Sequence, residues 1–275
     1  MTETEIETVT KTATLTAESL VALAREAGLA TLEYYQGDDL GVEAKADDSP
    51  LTKADLASHN LIMAGLTSMT PDIPVQSEEG NSGDLDAHVQ AGGQYWLVDP
   101  LDGTKEFIKG RSDYTINIAL IDQHQPVAGF IYAPVLKTSW WTALDGSAAF
   151  RQVGDGPIET ITAGRGSEDG LYVVSSKSHA NEEALADFLG GKPIAQSILA
   201  GSSLKFCRVA EGSADLYPRF GPTMEWDTGA GHAIAKAAGA QVIDLTTGEP
   251  LRYGKTIAQT GRDKDYLNGN FLVRS

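Results

Sequence analysis

The sequence has little sulfur to work with. Cys207 is the one cysteine among 275 residues, which excludes an internal disulfide and a thiolate zinc cage. Its setting, Leu204-Lys-Phe-Cys-Arg-Val-Ala, predicts a buried structural thiol rather than a nucleophile. No apolar run approaches the roughly 20 residues needed to cross a bilayer, so no integral membrane segment is expected. The N-terminus, Met1-Thr-Glu-Thr-Glu-Ile-Glu, is acidic and unlike a secretory leader. A cytoplasmic protein is expected, and nothing basic or amphipathic argues for association with the inner face of a membrane.

Positive charge is scarce as well. Lys and Arg total 21 against 38 Asp and Glu, for a formal net charge of -17. A surface of that sign excludes broad nucleic-acid binding, which needs stripes of Lys and Arg. A small anionic ligand is still admissible if positive charge gathers locally, and bound divalent cations would supply it. Several catalytic signatures are missing. There is no Gly-x-Ser-x-Gly, no His-Glu-x-x-His and no His/Cys pair at zinc spacing. Gly254-Lys255-Thr256 looks like the end of a nucleotide P-loop, but Gly248 lies one residue too far upstream and no helical pattern follows, so it reads as a turn. His59, His88, His124 and His232 carry no partner pattern and read as structural or surface residues.

What is present is an ordinary globular mixture, 41% hydrophobic and 21% charged, long enough for two packed lobes or one large domain. Residues 1–14 lack periodicity and predict a flexible tail. Helical spacing runs from Thr16 through Leu20, Leu23, Ala24 and Ala27 to an end near Gly28 or Gly37, and a second helix follows Thr52 and closes before Pro71. Ile73 to Ser77 predicts an extended segment delivering Glu78 and Glu79, Asn81 to Gly93 a connection, and Tyr95 to Val98 a short strand. Strands over 114–121, 127–133 and 139–143, separated by turn residues, predict an antiparallel meander. After the Gly-rich stretch 154–170 the rhythm becomes strand, helix, strand, helix, with further elements at 215–217, 228–238 and 241–245. This α/β alternation predicts a layered second lobe. The expected division is 15–162 and 163–275.

Asp99 and Asp102 follow the apolar strand, where Pro100 is expected to stop ladder pairing. Two carboxylates three positions apart, in a turn leading into a helix at Gly103-Thr104, can converge on one ion beside free backbone N–H groups that suit a phosphate. Alone, the pattern is explained better by an Asp-Gly turn with Asp102 capping the helix. Glu78 with Glu79, Asp227 at the start of an Ala-rich helix, and Asp55 one turn after Thr52 add further acids at element ends. Each has a plain structural reading, and Asp227 as an N-cap is the most ambiguous. Together they fit the all-oxygen coordination of Mg2+.

Glu78-Glu79, Asp99-Pro-Leu-Asp-Gly-Thr and Trp226-Asp-Thr-Gly-Ala-Gly resemble, in order, the three signatures of the inositol monophosphatase superfamily of Li+-sensitive, Mg2+-dependent phosphatases. The stretches 95–109, 201–212 and Leu216-Tyr-Pro-Arg-Phe-Gly-Pro are similar to its 3'(2'),5'-bisphosphate nucleotidase branch. The resemblance implies a layered α-β-α-β-α sandwich of α/β class, with an antiparallel N-terminal sheet. It also implies two or three Mg2+ ions held by Glu78, Asp99, the Leu101 carbonyl, Asp102 and Asp227. Asp55 and Thr104 would activate the attacking water, with Glu78 also at the catalytic centre. Glu78, Leu101, Asp102, Gly103, Thr104, His179, Ser202, Lys205, Arg219 and Asp227 would contact a small phosphorylated nucleotide. From the residues alone, Lys205 with Arg208 reads better as a solvated helix face, and His179 reads equally well as a helix cap.

The implied reaction is hydrolysis of the 3'-phosphate of adenosine 3',5'-bisphosphate, or of its sulfated form, in sulfur assimilation. An inositol or sugar phosphatase on the same scaffold is one rival. A non-catalytic nucleotide- or metal-binding protein is another, and the oligomeric state is not legible.

Overall fold

The computed structural model describes residues 15–37, 39–45, 50–81, 85–164, 170–176 and 182–275. His179 and the segment 1–14 lie outside them. Helix α1 (Ala17–Leu32) starts at Thr16, whose hydroxyl accepts from Ser19 N while the Ser19 hydroxyl accepts from Thr16 N. That reciprocal cap satisfies two donors the first turn would leave free. The helix runs past Gly28 and stops short of Gly37, because its buried face continues to Thr31 and one helical glycine costs only about 1 kcal/mol against Ala. A two-residue hairpin of β1 (Glu43–Ala44) and β2 (Pro50–Leu51) leads into α2 (Lys53–Met69), capped in the same reciprocal way by Thr52 and Asp55.

The first sheet contains β3 (Val75–Ser77), β4 (Gly80–Asn81), β5 (Tyr95–Asp102), β6 (Thr115–Asp122), β7 (Gln125–Ala133), β8 (Thr138–Thr142), β9 (Ala149–Val153) and β10 (Glu159–Ile161). Its spatial order is β10-β9-β8-β7-β6-β5-β3-β4. All neighbours pair antiparallel except β3 and β5, which run parallel. The meander is therefore real and longer than expected. Strands β9 and β10 are mostly half-buried or exposed, so no alternation marks them. The connection before β5 holds a short helix, α3 (Asp86–Gln90), and α4 (Thr104–Ile108) follows β5.

Strand β5 corrects one expectation. Pro100 does not end the ladder. Asp99 pairs with Asn117, and pairing resumes with Asp102 opposite Thr115. Three steps on β5 match two on β6, so a β-bulge absorbs one extra residue and the missing proline N–H falls inside it.

The second sheet holds β11 (Leu171–Ser176), β12 (Ile194–Ala200), β13 (Leu216–Arg219), β15 (Gln241–Asp244) and β17 (Phe271–Arg274), in order β12-β11-β13-β17-β15. Helices α5 (Glu182–Leu189) and α6 (Leu204–Ala210) connect the parallel trio β11, β12 and β13. A two-stranded pair, β14 (Thr223–Met224) with β16 (Leu267–Asn268), precedes α7 (Gly229–Ala237) in one arm and follows α8 (Ile257–Thr260) in the other. Strand β17 was not anticipated. It sits antiparallel between β13 and β15, with Phe271, Leu272 and Val273 buried on both faces, so it shows no alternation to read.

Five layers result. Helices α1 and α2 cover one face of the first sheet, and α7 packs on its other face against β6 and β7. Helix α6 joins α7 to the second sheet, and one apolar core containing Trp140, Phe206, Cys207, Ile234 and Phe271 runs through them. The crossovers β11–α5–β12 and β12–α6–β13 run in opposite directions across β11, so right-handed connections put α5 on the outer face. Cys207 is fully buried in this core, and burial drives its thiol pKa well up, as an inert packing residue requires. Among the described residues no helix is long and apolar enough to cross a membrane.

Candidate metal and phosphate site

Successive strand residues point to opposite faces, so Asp99 and Asp102 on a regular strand would diverge. The bulge in β5 reverses that parity. Carboxylate oxygens of Asp99, Asp102 and Asp227 all lie within 4.8 Å of one another. Asp99 is buried and its Oδ1 accepts from Leu101 N at 2.9 Å. Asp102 Oδ2 accepts from Ser203 Oγ at 2.9 Å and Asn117 Nδ2 at 3.4 Å. Asp227 Oδ2 accepts from Met224 N at 3.0 Å, and its backbone carbonyl lies 2.7 Å from the same Ser203 hydroxyl. Asp227 is not the helix cap it resembles. Thr228 holds that position, without a side-chain cap bond, and the Asp227 carboxylate turns back toward β5 instead.

These three acids are poorly compensated. Burial, then the charges of Glu78, Asp102 and Asp227, holds the Asp99 carboxyl well above the usual carboxylate range. Burial, then Asp102 and Glu78, does the same for Asp227. Burial raises Asp102 too, with Lys205, Ser203 and Asn117 pulling it back. Such a group must hold protons or cations. Carboxylate oxygens with nearby backbone carbonyls form a hard donor set, so a metal ion fits the residues present.

Behind this cluster, Thr104 Oγ1 donates to Asp55 Oδ1 at 3.2 Å and lies 3.4 Å from the Leu101 carbonyl. Asp55 is buried, and its Oδ2 accepts from Thr52 N at 2.9 Å and Thr52 Oγ1 at 2.5 Å. Burial raises its pKa, and the hydrogen bonds from Thr52 and Thr104 oppose that rise. The residue therefore caps α2 with one oxygen and meets Thr104 with the other. Gly103 makes the turn with φ of +99°, and a side chain there would strike the Ser202 hydroxyl. That hydroxyl lies 2.7 Å from Asp102 O and 2.6 Å from Asp113 O. Helix α4 spans only Thr104–Ile108; the expected phosphate cradle is a turn and little more.

Glu78 leaves β3 beside β5, with its N–H bonded to Val98 O at 3.0 Å. It lines the same cavity, of about 290 Å³, as the three aspartates, yet its carboxylate is engaged by Lys45 Nζ at 2.7 Å. Lys45 also holds Glu79 at 2.5 Å. Burial would lower the Lys45 ammonium, but the two carboxylates outweigh it and raise it. Lys45 was missed from sequence, although it is the lone cation between Arg25 and Lys53. Ser203 and Asn117 were missed as well, and nothing in their local pattern marks them.

The same cavity also holds two cations, Lys205 and Arg219. Lys205 is buried rather than on a solvated face. Its Nζ donates to Ser202 O at 2.5 Å and sits 5.5 Å from the Tyr217 ring centre. Burial lowers it to about 8, against the pull of Asp102 and Asp227. Arg219 gives one Nη2 hydrogen bond of 2.9 Å to Pro222 O. Its Nε, like the Thr223 hydroxyl, is buried with no protein partner, and both residues line the cavity. Glu78, Leu101, Asp102, Gly103, Thr104, Ser202, Lys205, Arg219 and Asp227 therefore share one cavity, while His179 lies outside the described residues.

A layered α/β sandwich with an acidic cluster that could hold a metal ion and with two cations in the same cavity has the makings of a phosphatase. The inositol monophosphatase family matches residues 7–274, and the chain belongs to that family. It is 47% identical over 258 residues to the 3'(2'),5'-bisphosphate nucleotidase CysQ of Salmonella typhimurium, covering 93% of this chain and 98% of that one. The CysQ nucleotidase of Escherichia coli strain K12 is 48% identical with the same coverage. Among solved structures, CysQ from Bacteroides thetaiotaomicron superimposes with a TM-score of 0.78 at 40% identity, covering 94% of this chain and 96% of that one.

Proposed function

We propose that this protein is a Mg2+-dependent phosphatase that removes the 3'-phosphate of adenosine 3',5'-bisphosphate, leaving AMP and phosphate, and that it serves sulfur metabolism. The observation that carries the reading is the convergence of Asp99, Asp102 and Asp227 within 4.8 Å, in a cavity also lined by Lys205 and Arg219. Near-half identity to nucleotidases over almost the whole chain supports the choice of substrate.

Glu78, Asp99 and the Leu101 carbonyl would hold one ion, and Asp99, Asp102 and Asp227 another. When bound, these cations supply positive charge that the carboxylates lack and that phosphoryl transfer needs. The Thr104 hydroxyl, whose proton points at Asp55, presents its lone pairs to the cavity and orients the attacking water. Asp55 Oδ1 takes that water's proton through the hydroxyl, helped by a raised pKa. Lys45 occupies the Glu78 carboxylate until cations compete for it. In the same cavity, Lys205 keeps two of its three donors and Arg219 keeps Nε for the second phosphate of the substrate. In this reading the first lobe, 15–162, does the chemistry, and the second, 163–275, brings Asp227 and chooses the substrate.

A substrate panel with and without Mg2+ tests this. Adenosine 3',5'-bisphosphate should be turned over far faster than myo-inositol 1-phosphate or fructose 1,6-bisphosphate, and only with the metal. Preference for either sugar ester would replace the nucleotidase reading. Li+ at millimolar concentration should inhibit.

A further inference from the structure

Asp227 reaches the acidic cluster on a turn that its own strand cannot hold. Strand β14 is two residues long and pairs only with the equally short β16, Thr223 opposite Asn268 and Met224 opposite Leu267. Asp227 must nevertheless keep its carboxylate within 4.8 Å of those of Asp99 and Asp102, so the turn needs support from elsewhere in the chain.

Glu225, two residues before Asp227, is fully buried and does not line the cavity. Its carboxylate accepts from Gly254 N at 2.6 Å, Lys255 N at 3.1 Å and Lys255 Nζ at 2.8 Å. Lys255 Nζ also donates to Asn268 Oδ1 at 2.9 Å. Asn268 in turn uses its Nδ2 on the Met224 carbonyl at 3.3 Å and on Thr228 Oγ1 at 3.0 Å. Thr228 Oγ1 donates to the Glu225 carbonyl at 3.0 Å, and Glu225 N donates to Tyr266 O at 2.8 Å. The circuit closes around the residues that orient Asp227, since Met224 N is the donor on its carboxylate. It also accounts for the Gly-Lys-Thr turn. Gly254 has φ of +76°, and a Cβ there would stand 2.6 Å from Val89, so only glycine lets that N–H reach Glu225.

We propose that the Glu225–Lys255 pair is a positioning device: it ties the Asp227 turn to the 253–268 segment and so sets the site's affinity for divalent cations. Glu225 and Lys255 touch no reacting atom. A buried carboxylate that takes three donors from one neighbouring segment has the geometry that such a role needs. The activity arm of the test rests on the phosphatase reading above, and the metal arm does not.

The test compares wild type, the double variant E225Q/K255M and the conservative K255R. Mn2+ binding is titrated by the loss of free-ion paramagnetic resonance, metal-free Tm is recorded, and kcat and KM are measured across a Mg2+ series. The double variant removes both charges together and so avoids stranding one of them. Its Mn2+ Kd should rise by roughly 10-fold or more, the scale for groups that orient metal ligands, while kcat recovers at high Mg2+. K255R should stay close to wild type. If the double variant does not fold, Asn268→Ala carries the same expectation, since it disconnects Lys255 from Met224 but leaves the ion pair. A lowered Tm with unchanged Mn2+ Kd makes the pair a plain tertiary contact and overturns the proposal. Wild type that binds no Mn2+ overturns it as well. Variants that shift Mn2+ binding in a wild type releasing no phosphate uphold the clamp and refute the phosphatase reading alone.

Discussion

The two walls of the cavity are built differently. The acidic side stands on β5 and on the turn after β14, and each carboxylate of its cluster accepts from a backbone N–H group or a hydroxyl. It is rigid and charged beyond what the protein compensates. The cationic wall hangs from α6 and the end of β13, where Lys205 and Arg219 each spend little of their donor capacity on protein carbonyls. One wall is committed to fixed geometry and the other is left with valence to spare. In the proposed enzyme, chemistry should depend on the first wall and substrate choice on the second, and that separation can be broken experimentally.

The largest effect should come from Asp99→Asn. Turnover should drop by about a thousandfold or more, since the cation clamp loses the ligand common to both ions. Metal-free Tm should not fall, because burial already disfavours the charged form of Asp99 and an uncharged amide of the same shape replaces it. Turnover within tenfold of wild type would take Asp99 out of the clamp. Asp55→Asn comes next, with kcat down roughly 100-fold and KM little changed, the signature of a proton-transfer role; a KM effect without a kcat effect would move Asp55 to substrate binding. On the cationic wall, Lys205→Met should raise KM for adenosine 3',5'-bisphosphate by about tenfold, the scale of one charged hydrogen bond. A nucleotide with a single phosphate should feel it less. Equal losses on both substrates would erase the division between the walls.

The mildest prediction concerns pH. Asp99 and Asp227 hold protons more tightly when folded than at the ordinary aspartate value of 3.8. Above that value the folded state binds more protons than the unfolded one, so their contribution to metal-free stability declines as pH rises. The Tm gained on adding Mg2+ should therefore be larger at pH 8 than at pH 5, by scanning calorimetry. An equal gain at both would mean that these carboxylates are not what the ion relieves.

Much of this was legible in the sequence, and the exceptions share a cause. Turn residues between apolar runs exposed the meander, and capping residues marked α1 and α2. Strand β17 is a four-residue run, buried but for its last residue, and it was not read from sequence; β9 and β10 are mostly half-buried or exposed, which leaves no period to read. Lys205, placed at the substrate by the family resemblance, looked solvated from the residues alone. Its neighbours on α6 show only that the helix is apolar, and the burial comes from Tyr217 on another element. Lys45, Ser203 and Asn117 could not be found at all, since each takes its place at the site through partners between 15 and 101 residues away.

The chain by itself determined which chemistry was available: acids at the ends of apolar strands, no thiolate or imidazole set to compete with them, and an ordered series of motifs shared with one family. Only the tertiary structure decided that Asp99 and Asp102 face the same way, that Asp227 joins them instead of capping its helix, and that Glu225 faces elsewhere. The reason is that side-chain direction depends on register, and register here is set by a bulge against β6 and by a hydrogen-bonded circuit with the C-terminal segment. Neither is a property of any local stretch.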